Sequence, residues 1–393
     1  MGIYVPLLIL LIVLAAAMRD DFALTLIYLF VGAFGAGMWW SRRSLSKLES
    51  HREFSDHAFP GEKVEITIRV KNPGWLPLPW VSIQDGLPVG LSAAPNFERV
   101  TTLGPKSETG FSYTLEARKR GYYPVGPLSL STGDILGLNE PVQKNAPAQY
   151  LTVYPKVVPL ASIKIPSRSP QGTLRHTQPL FEDPTRVMGK RDYVAGDSLR
   201  RVDWKATAAT GRMQVKMFEP SIALETLLCL NLNEDDYPFR QRIDSLELAI
   251  VIAASLAAWI AQKRQSFGLL VNGLDLPSGE TPRSLPLRKG GAHLMRLLET
   301  LARAGATRQA PFLPLLQHQR AQLPWGTTLI VITGQVGEAL LTELYQSRKA
   351  GQEVLLIQAG AITYARETQT LAGLYGIPLV SIQNERGLDI WRQ

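Results

Sequence analysis

Cysteine is almost missing: Cys229 is the one thiol in 393 residues. That excludes a disulfide framework within the chain and any cysteine-based zinc cluster. Histidine is scarce, at five, and neither an H-E-x-x-H nor a G-x-S-x-G pattern occurs, so two common hydrolase chemistries have no motif here. Charge is thin: Asp, Glu, Lys and Arg make up 19%, below the roughly 25% usual for soluble domains. The shortage does not mean disorder, because 45% of residues are hydrophobic and the net charge is only +8. It is concentrated at the start, where Arg19, Asp20 and Asp21 are the only charges in the first forty residues. The rest of the chain therefore carries an excess of +9 and behaves as a mildly basic body of ordinary polarity.

Two uncharged runs occupy that start, residues 3–18 and 22–40. A bilayer core takes about 20 apolar residues in a helix. The second run meets this and ends in Trp39-Trp40, an interfacial pair, while the first is slightly short. The three-residue break between them predicts a two-helix transmembrane hairpin. A cleaved signal peptide over 1–18 is the alternative, but it calls for a positive n-region and no Lys or Arg precedes Arg19. Arg42, Arg43 and Lys47 follow the second run, which puts residue 41 onward in the cytoplasm by positive-inside logic. Residues 246–261 are also apolar but contain Glu247 and are too short to span; they read as a buried helix.

Between about 52 and 158 the apolar period is two. Val64, Ile66, Ile68 and Val70 alternate with polar residues, as do Phe111, Tyr113, Leu115 and Ala117. Leu128 and Leu130 continue the pattern, and residues 150–154 form a further strand. Such alternation marks half-buried strands, and the Asn72-Pro73-Gly74 and Leu103-Gly104-Pro105 breaks suggest a small antiparallel sandwich. The segment 120–127, RGYYPVGP, reads as a turn and edge strand with packed tyrosines, a docking surface being the alternative. His51 and His57 read as surface residues.

Residues 161–186 are broken by prolines and read as a linker. In the next stretch, 189–208, charges alternate in sign: Lys190, Arg191, Asp192, Asp197, Arg200, Arg201, Asp203 and Lys205. Tyr193, Val202 and Trp204 are its apolar anchors, and Gly196 allows a turn with positive φ. An ordered loop held by Arg–carboxylate pairs follows from this, since a guanidinium can grip an Asp with two bonds. Asp197 and Asp203 as a catalytic acid/base pair are the competing reading. Gly189-Lys190 is not a phosphate loop, because Pro184 and Arg191 stand where Gly and Ser/Thr belong.

This stretch resembles the signature of the family known as domain of unknown function 58, R-x-Y-x-x-G-D-x-x-R-x-[IV]-D-W-[KR]-x-[TS]-A. Arg191, Tyr193, Gly196, Asp197, Arg200, Val202, Asp203, Trp204, Lys205, Thr207 and Ala208 match it, and Val215, Lys216, Phe218 and Glu219 match the V-K-x-F-E that follows. The segment beginning at Arg120 and running through Asp134 to Leu138 is similar to a second family pattern. Ala209 departs from the family, which usually has Arg there.

From about 222 short apolar runs at 227–230, 269–271, 329–332, 354–357 and 379–382 alternate with amphipathic stretches around 240–263, 290–304, 337–350 and 363–375. Strand–helix alternation with fully apolar strands predicts a doubly wound parallel sheet. The resemblance implies that this α/β domain is von Willebrand factor type A-like, a fold that can hold a divalent cation through D-x-S-x-S after its first strand. Here Asn231, Asn233 and Asp235 stand at those three positions, and Thr333 stands at an acidic position further on. Asn brings no charge to offset the dehydration of Mg²⁺, so the metal site reads as degenerate. No cofactor is expected; Mg²⁺ at a rearranged site of Glu234, Asp235 and Asp236 is the alternative. Cys229 reads as inert packing, and His293 and His318 as exposed. The Arg residues and Trp325 between 300 and 325 lack the aromatic interleaving of a single-strand binder, so no nucleic acid is expected.

The expected organisation is a two-helix anchor over 1–48, a β-sandwich over 49–160, a linker and charged signature over 161–221, and an α/β domain over 222–393. The expected function is a non-enzymatic, membrane-anchored interaction protein. The resemblance implies a bacterial inner membrane, a MoxR-type AAA+ ATPase as partner, a transglutaminase-like membrane protein as a further partner, and a role in assembling or remodelling envelope or metal-containing proteins. A cation-dependent adhesion-type receptor and a hydrolase using Asp197 and Asp203 are the alternatives.

Overall fold

The computed structural model describes residues 9–10, 12–13, 21–92, 94–133, 142–161, 163, 182–220, 225–280, 284–360 and 365–391. Most of the first expected span, most of the expected linker, and Asp134 to Leu138 lie outside them. The chain divides into two compact units.

The first unit comprises Met1–Lys156 together with Asp275–Gly279 and Leu298–Ala304. It opens with helix α1 (Asp21–Lys47). By length and composition the part from Leu24 to Lys47 suffices to cross a membrane, and only 11% of its most apolar stretch is buried. Its last turn is different: Leu45 and Leu48 sink into the core of the strands that follow. Burying a leucine contributes about 1.5–3 kcal/mol, so this end of the helix is pinned in rotation.

Strands β1 (Glu49–Glu53), β2 (His57–Ala58), β3 (Lys63–Lys71), β4 (Leu78–Gly86), β5 (Asn96–Leu103), β6 (Glu108–Glu116), β7 (Gly121–Val125), β8 (Leu128–Thr132), β9 (Val142–Ala146) and β10 (Gln149–Val153) follow. They form three sheets ordered β1-β3-β6, β5-β4-β8-β9 and β2-β10-β7, antiparallel except for the short β2–β10 pair. The alternation read in the sequence has its physical counterpart here. Ile68 and Val70 meet Leu78, Val81, Ile83, Leu128 and Leu130 in one cluster, while Val64 and Ile66 meet Leu115, Val125, Leu151 and Val153 in another. The RGYYPVGP segment indeed contains an edge strand: among the described residues β7 pairs only with β10, and Tyr122 stacks on Tyr150 at 4.5 Å. Arg120 has a job that spacing did not reveal. Its Nη1 donates to the backbone carbonyls of Leu301 at 2.6 Å and Ala304 at 3.0 Å, closing a helix C-terminus whose carbonyls lack intrahelical partners.

The second unit holds Val157–Leu274, Glu280–Leu297 and Gly305–Gln393. Strand β11 (Glu182–Asp192) starts inside the expected linker and pairs antiparallel with β12 (Gln214–Pro220), with helix α2 (Trp204–Thr210) in the loop between them. Then comes the six-stranded sheet. In sequence its strands are β13 (Glu225–Leu230), β14 (Ser266–Val271), β15 (Leu285–Arg288), β16 (Thr328–Thr333), β17 (Glu353–Ala359) and β18 (Leu379–Ile382). In space the order is β15-β14-β13-β16-β17-β18, parallel except for the edge strand β15. Every residue of β14 and β16 is buried, as continuous apolar runs require when both faces are covered. The chain from Phe239 to Gln262, containing helix α3 (Arg242–Gln262), is apolar enough to pass for a membrane span, yet 78% of its most apolar stretch is buried. It is a core helix, as its Glu247 suggested. Helices α4 (Gly291–Arg303), α5 (Phe312–Arg320), α6 (Glu338–Lys349) and α7 (Ala365–Leu374) complete the set, and α5 and β15 were not legible in the sequence. Phe312 and Leu316 of α5 pack with Leu340, Leu341 and Leu344 of α6 against Leu227, Cys229 and Val331. Cys229 is fully buried and burial pushes its thiol pKa up, which fits inert packing. His293 corrects an expectation: it is buried, its Nε2 donates to the Phe267 carbonyl at 2.9 Å, and its ring leans on Phe267.

Candidate functional site

The signature residues form one self-braced module at the end of the β11–β12 hairpin. Gly196 sits in its turn with φ of 109°, a conformation closed to most side chains. The turn presents Asp197 to Arg191, whose Nη1 and Nη2 donate to the carboxylate at 2.7 and 2.6 Å. The Val194 amide donates to the same carboxylate at 3.0 Å. Asp203 works differently from the Arg–carboxylate pairing expected of it. It caps α2 by accepting from the Ala206 amide at 3.1 Å, and its cation is Lys190 at 2.9 Å. Thr207 Oγ1 accepts from the Gln214 amide at 3.0 Å, and Val202 bridges Val215, both buried.

The anchor role expected of Trp204 is overturned. Its side chain is 68% exposed, because the N-cap at Asp203 turns the first residue of α2 outward, and Val202 alone of the three expected anchors is buried. Tyr193 is half-buried, and Arg200 and Lys205 are exposed. Arg200, Lys205 and Arg212 form no ion pair with any described residue. Val194 and Leu199 are exposed beside them in sequence. The module therefore spends Arg191, Gly196, Asp197 and Asp203 on its own shape and offers cations and apolar side chains to solvent.

Arg191, helped by the Val194 amide, holds the Asp197 pKa below the usual carboxylate range; Lys190, helped by the Ala206 amide, does the same for Asp203. Each carboxylate has its own cation, so neither resembles a pair sharing a proton, and neither is tuned to act as a general acid near neutrality. A pH prediction follows. A depressed folded-state pKa makes the stabilisation complete above the unfolded value of about 3.9 and lost as pH falls through the lower folded value. Hydrogen exchange, corrected for intrinsic rates, should show protection of the Val194 and Ala206 amides constant down to about pH 4.5 and falling below about pH 3.5. Asp197→Asn should remove protection at Val194 at neutral pH and spare Ala206. Undiminished protection of both at the acid end, or in the variant, contradicts the assignment.

The second group of expected positions lies at the carboxyl ends of the parallel strands, where ligands of open α/β sheets bind. Asn231 follows β13 and Thr333 ends β16, and they meet: Asn231 Nδ2 donates to Thr333 Oγ1 at 3.1 Å and to Asp236 Oδ2 at 2.7 Å. Asn231 Oδ1 accepts from the Asn233 amide at 3.0 Å and from Asn272 Nδ2 at 3.1 Å. Asn233 Oδ1 accepts from the Asp235 amide, and Asn272 Oδ1 from the Leu232 amide at 2.7 Å. The side chain at 231 thus directs N–H groups where a cation would need oxygen. The three acids proposed for a rearranged site are committed elsewhere. Glu234 pairs with Arg308 at 3.0 Å and Arg242 at 3.3 Å, Asp235 lies 3.6 Å from Arg308, and Asp236 holds Asn231. Among the described residues no group of three or more His, Cys, Asp or Glu side chains could hold a metal ion.

Tyr237 and Asn272 are members of this network that sequence reading missed. The Tyr237 hydroxyl is buried and donates to the Asn231 carbonyl at 2.6 Å; burial first, then the nearby Asp236, pushes its pKa up. Gly334 makes room for it, since a Cβ there would fall on the tyrosine ring. A signal existed for Asn272: like Asn231, it is an amide placed directly after an apolar strand. Beside this face Phe239 and Ile243, one helical turn apart, are strongly exposed, with the Arg242 guanidinium 5.3 Å from the Phe239 ring centroid.

Fold and site define the class: a mixed α/β protein with several sheets, an N-terminal apolar helix, a braced basic hairpin, and a strand-end face closed by amides. Residues 189–358 match the family described as "Protein of unknown function DUF58". Among curated proteins the chain is similar to the uncharacterized protein YeaD of Bacillus subtilis (strain 168), 24% identical over 290 residues, 72% of this chain and 68% of that protein. Among solved structures it is similar to the CARDB domain of the PF1109 protein of Pyrococcus furiosus, in complex with di-metal ions. That match has 17% identity over 27% of this chain and 91% of the other, at a TM-score of 0.21. It is also similar to a GH20 exo β-N-acetylglucosaminidase of Vibrio harveyi at 10% identity, covering 85% and 81%, with a TM-score of 0.19. Such TM-scores carry no argument about fold or chemistry.

Proposed function

We propose that this chain is a membrane-anchored interaction protein without catalytic activity of its own. It recognises a partner through the signature hairpin and the strand-end face of an α/β domain that we read as von Willebrand factor type A-like. One observation carries the reading: Arg191, Asp197 and Asp203 are consumed in bracing the hairpin, while Arg200, Trp204 and Lys205 are displayed to solvent. Aromatic and arginine side chains so displayed suit a protein interface. The exposed Phe239–Ile243 pair adds a second apolar element. On family grounds the partner is a MoxR-type AAA+ ATPase, a transglutaminase-like membrane protein is a further one, and the task is assembly or remodelling of envelope or metal-containing proteins. The anchor is a two-span hairpin in a bacterial inner membrane with the body on the cytoplasmic side. Amide donors at the strand ends and low carboxylate pKa values at 197 and 203 leave the cation-dependent receptor and the hydrolase without comparable support.

Affinity capture of the full chain from membranes tests this. The wild type should retain the ATPase encoded beside it, and the triple variant Arg200→Glu, Trp204→Ala, Lys205→Glu should lose about 90% or more of it, since hot-spot truncations cost about 2 kcal/mol or more. Equal retention by both overturns the surface, and failure of the wild type to retain any such ATPase overturns the partner.

A further inference from the structure

The end of α1 carries a feature that the interaction reading does not use. Gly35, Met38, Trp39, Arg42, Arg43 and Ser46 line a groove of about 460 Å³. Their spacing puts them on one stripe of the helix. The rotation of that stripe is fixed from behind. Ser41, Ser44, Leu45 and Leu48 are buried, Trp40 Nε1 donates to the Pro77 carbonyl at 2.9 Å, and Lys144 Nζ reaches the Leu48 carbonyl at 2.5 Å. Arg42 and Arg43 are thereby held facing outward, and neither forms an ion pair with a described residue. Trp39, 56% exposed, lies one turn before them, and Gly35, open on its outer side, one turn before that.

We infer that this groove is a binding site for an anionic phospholipid. The two guanidinium groups take the phosphodiester, to which Arg is geometrically matched. Trp39 stands at the glycerol level, where indoles favour the interface. The space over Gly35 and Met38 receives the upper acyl chain. Lys47 and Lys144 raise the local positive potential, so a headgroup with net negative charge is preferred to a zwitterionic one. The inference rests on α1 as a membrane span, a reading supported by the length and composition of Leu24–Lys47.

The test uses the full chain, purified in mild detergent, delipidated, and offered equal amounts of phosphatidylglycerol and phosphatidylcholine before native mass spectrometry. Phosphatidylglycerol should be retained over phosphatidylcholine by about thirty-fold, the ratio for two arginine contacts at a membrane surface. Arg42→Gln with Arg43→Gln should bring the ratio near one while the thermal unfolding midpoint stays in place. A wild-type ratio near one, or no difference between wild type and variant, overturns the site. Displacement of the lipid by an equal concentration of glycerol 3-phosphate overturns the lipid as occupant in favour of free phosphate. Carbonate extraction separates the two levels: release of the chain from membranes defeats α1 as a span, whereas retention with no lipid preference defeats only the groove.

Discussion

Asp85→Ala is expected to destabilise the first unit by about 3–5 kcal/mol, the range for leaving an unpartnered charge in a protein interior. Asp85 is completely buried and Arg52 nearly so. Arg52 Nε donates to Asp85 Oδ2 at 3.0 Å and Nη2 donates to Oδ1, which makes the pair bidentate. Arg52 Nη1 also donates to the Val125 carbonyl at 2.9 Å, and the Tyr113 hydroxyl donates to Asp85 Oδ2 at 2.7 Å. Burial, then the bond to Asp85, raises the Tyr113 pKa, which keeps that hydroxyl a donor. Without the carboxylate, the buried guanidinium is stranded away from water and the half-buried phenol loses its acceptor. Since whole domains are stable by only about 5–15 kcal/mol, the variant should show greatly weakened hydrogen-exchange protection in β3 and β4. Tyr113→Phe removes one hydrogen bond and should cost only about 1 kcal/mol. Arg52→Met combined with Asp85→Leu should recover most of the loss, because an apolar pair of similar volume carries no desolvation penalty. Unchanged protection in Asp85→Ala would show that the ion pair is not what holds the two sheets in register.

At the strand ends, Asn231→Asp is expected to cost about 3–5 kcal/mol at neutral pH, again the figure for an uncompensated buried charge. The amide nitrogen that bridges Asp236 at 2.7 Å would become an oxygen, so two carboxylates would face each other across a hydrogen-bond distance. One of them must keep a proton, and its folded-state pKa rises. With a raised carboxylate pKa the folded state binds more protons than the unfolded one. Stability therefore declines as pH rises from about 4 toward that raised value and then levels off. Two carboxylates and the Thr333 hydroxyl also form an oxygen set that suits Mg²⁺. Thermal unfolding should show a midpoint of Asn231→Asp that falls with rising pH and recovers on adding Mg²⁺, beside a wild-type midpoint that Mg²⁺ leaves in place. A wild type stabilised by Mg²⁺ as strongly as the variant would defeat the amide-closed reading and favour a cation-dependent receptor.

Where hydrophobic periodicity was strong, structure followed it closely. Val64 to Val70 alternate because one face of β3 is core, and residues 329–332 are uniformly apolar because β16 is central and covered on both sides. The helix from Arg242 was distinguishable from a membrane span because Glu247 stands at the start of its apolar run. The signature was equally legible as a charged, ordered unit turning at Gly196. Periodicity failed where a segment is short or its partner is remote. Strand β15 has four residues and lies at an edge, and α5 owes its place to contacts with α6. The partner of each charge was also invisible: alternating signs around 190–205 allowed Asp203 to meet an arginine, and the fold gave it Lys190 and a helix to cap.

By itself the amino-acid sequence determined the identity and order of the main elements, the apolar helix at the start, the resemblance of the signature segment to a known family, and the shortage of acidic ligands after the first strand of the parallel sheet. These are properties of composition, period and motif, and they do not depend on which distant residues meet. Only the tertiary structure decided that Asn231, Asn272, Tyr237 and Thr333 form one closed network, that Arg52 finds Asp85, and that Trp204 faces water while His293 does not. The reason is physical: whether a polar group is exposed, paired or stranded depends on what the chain brings beside it from far along the sequence, and hydrogen bonds and burial are set by that neighbour.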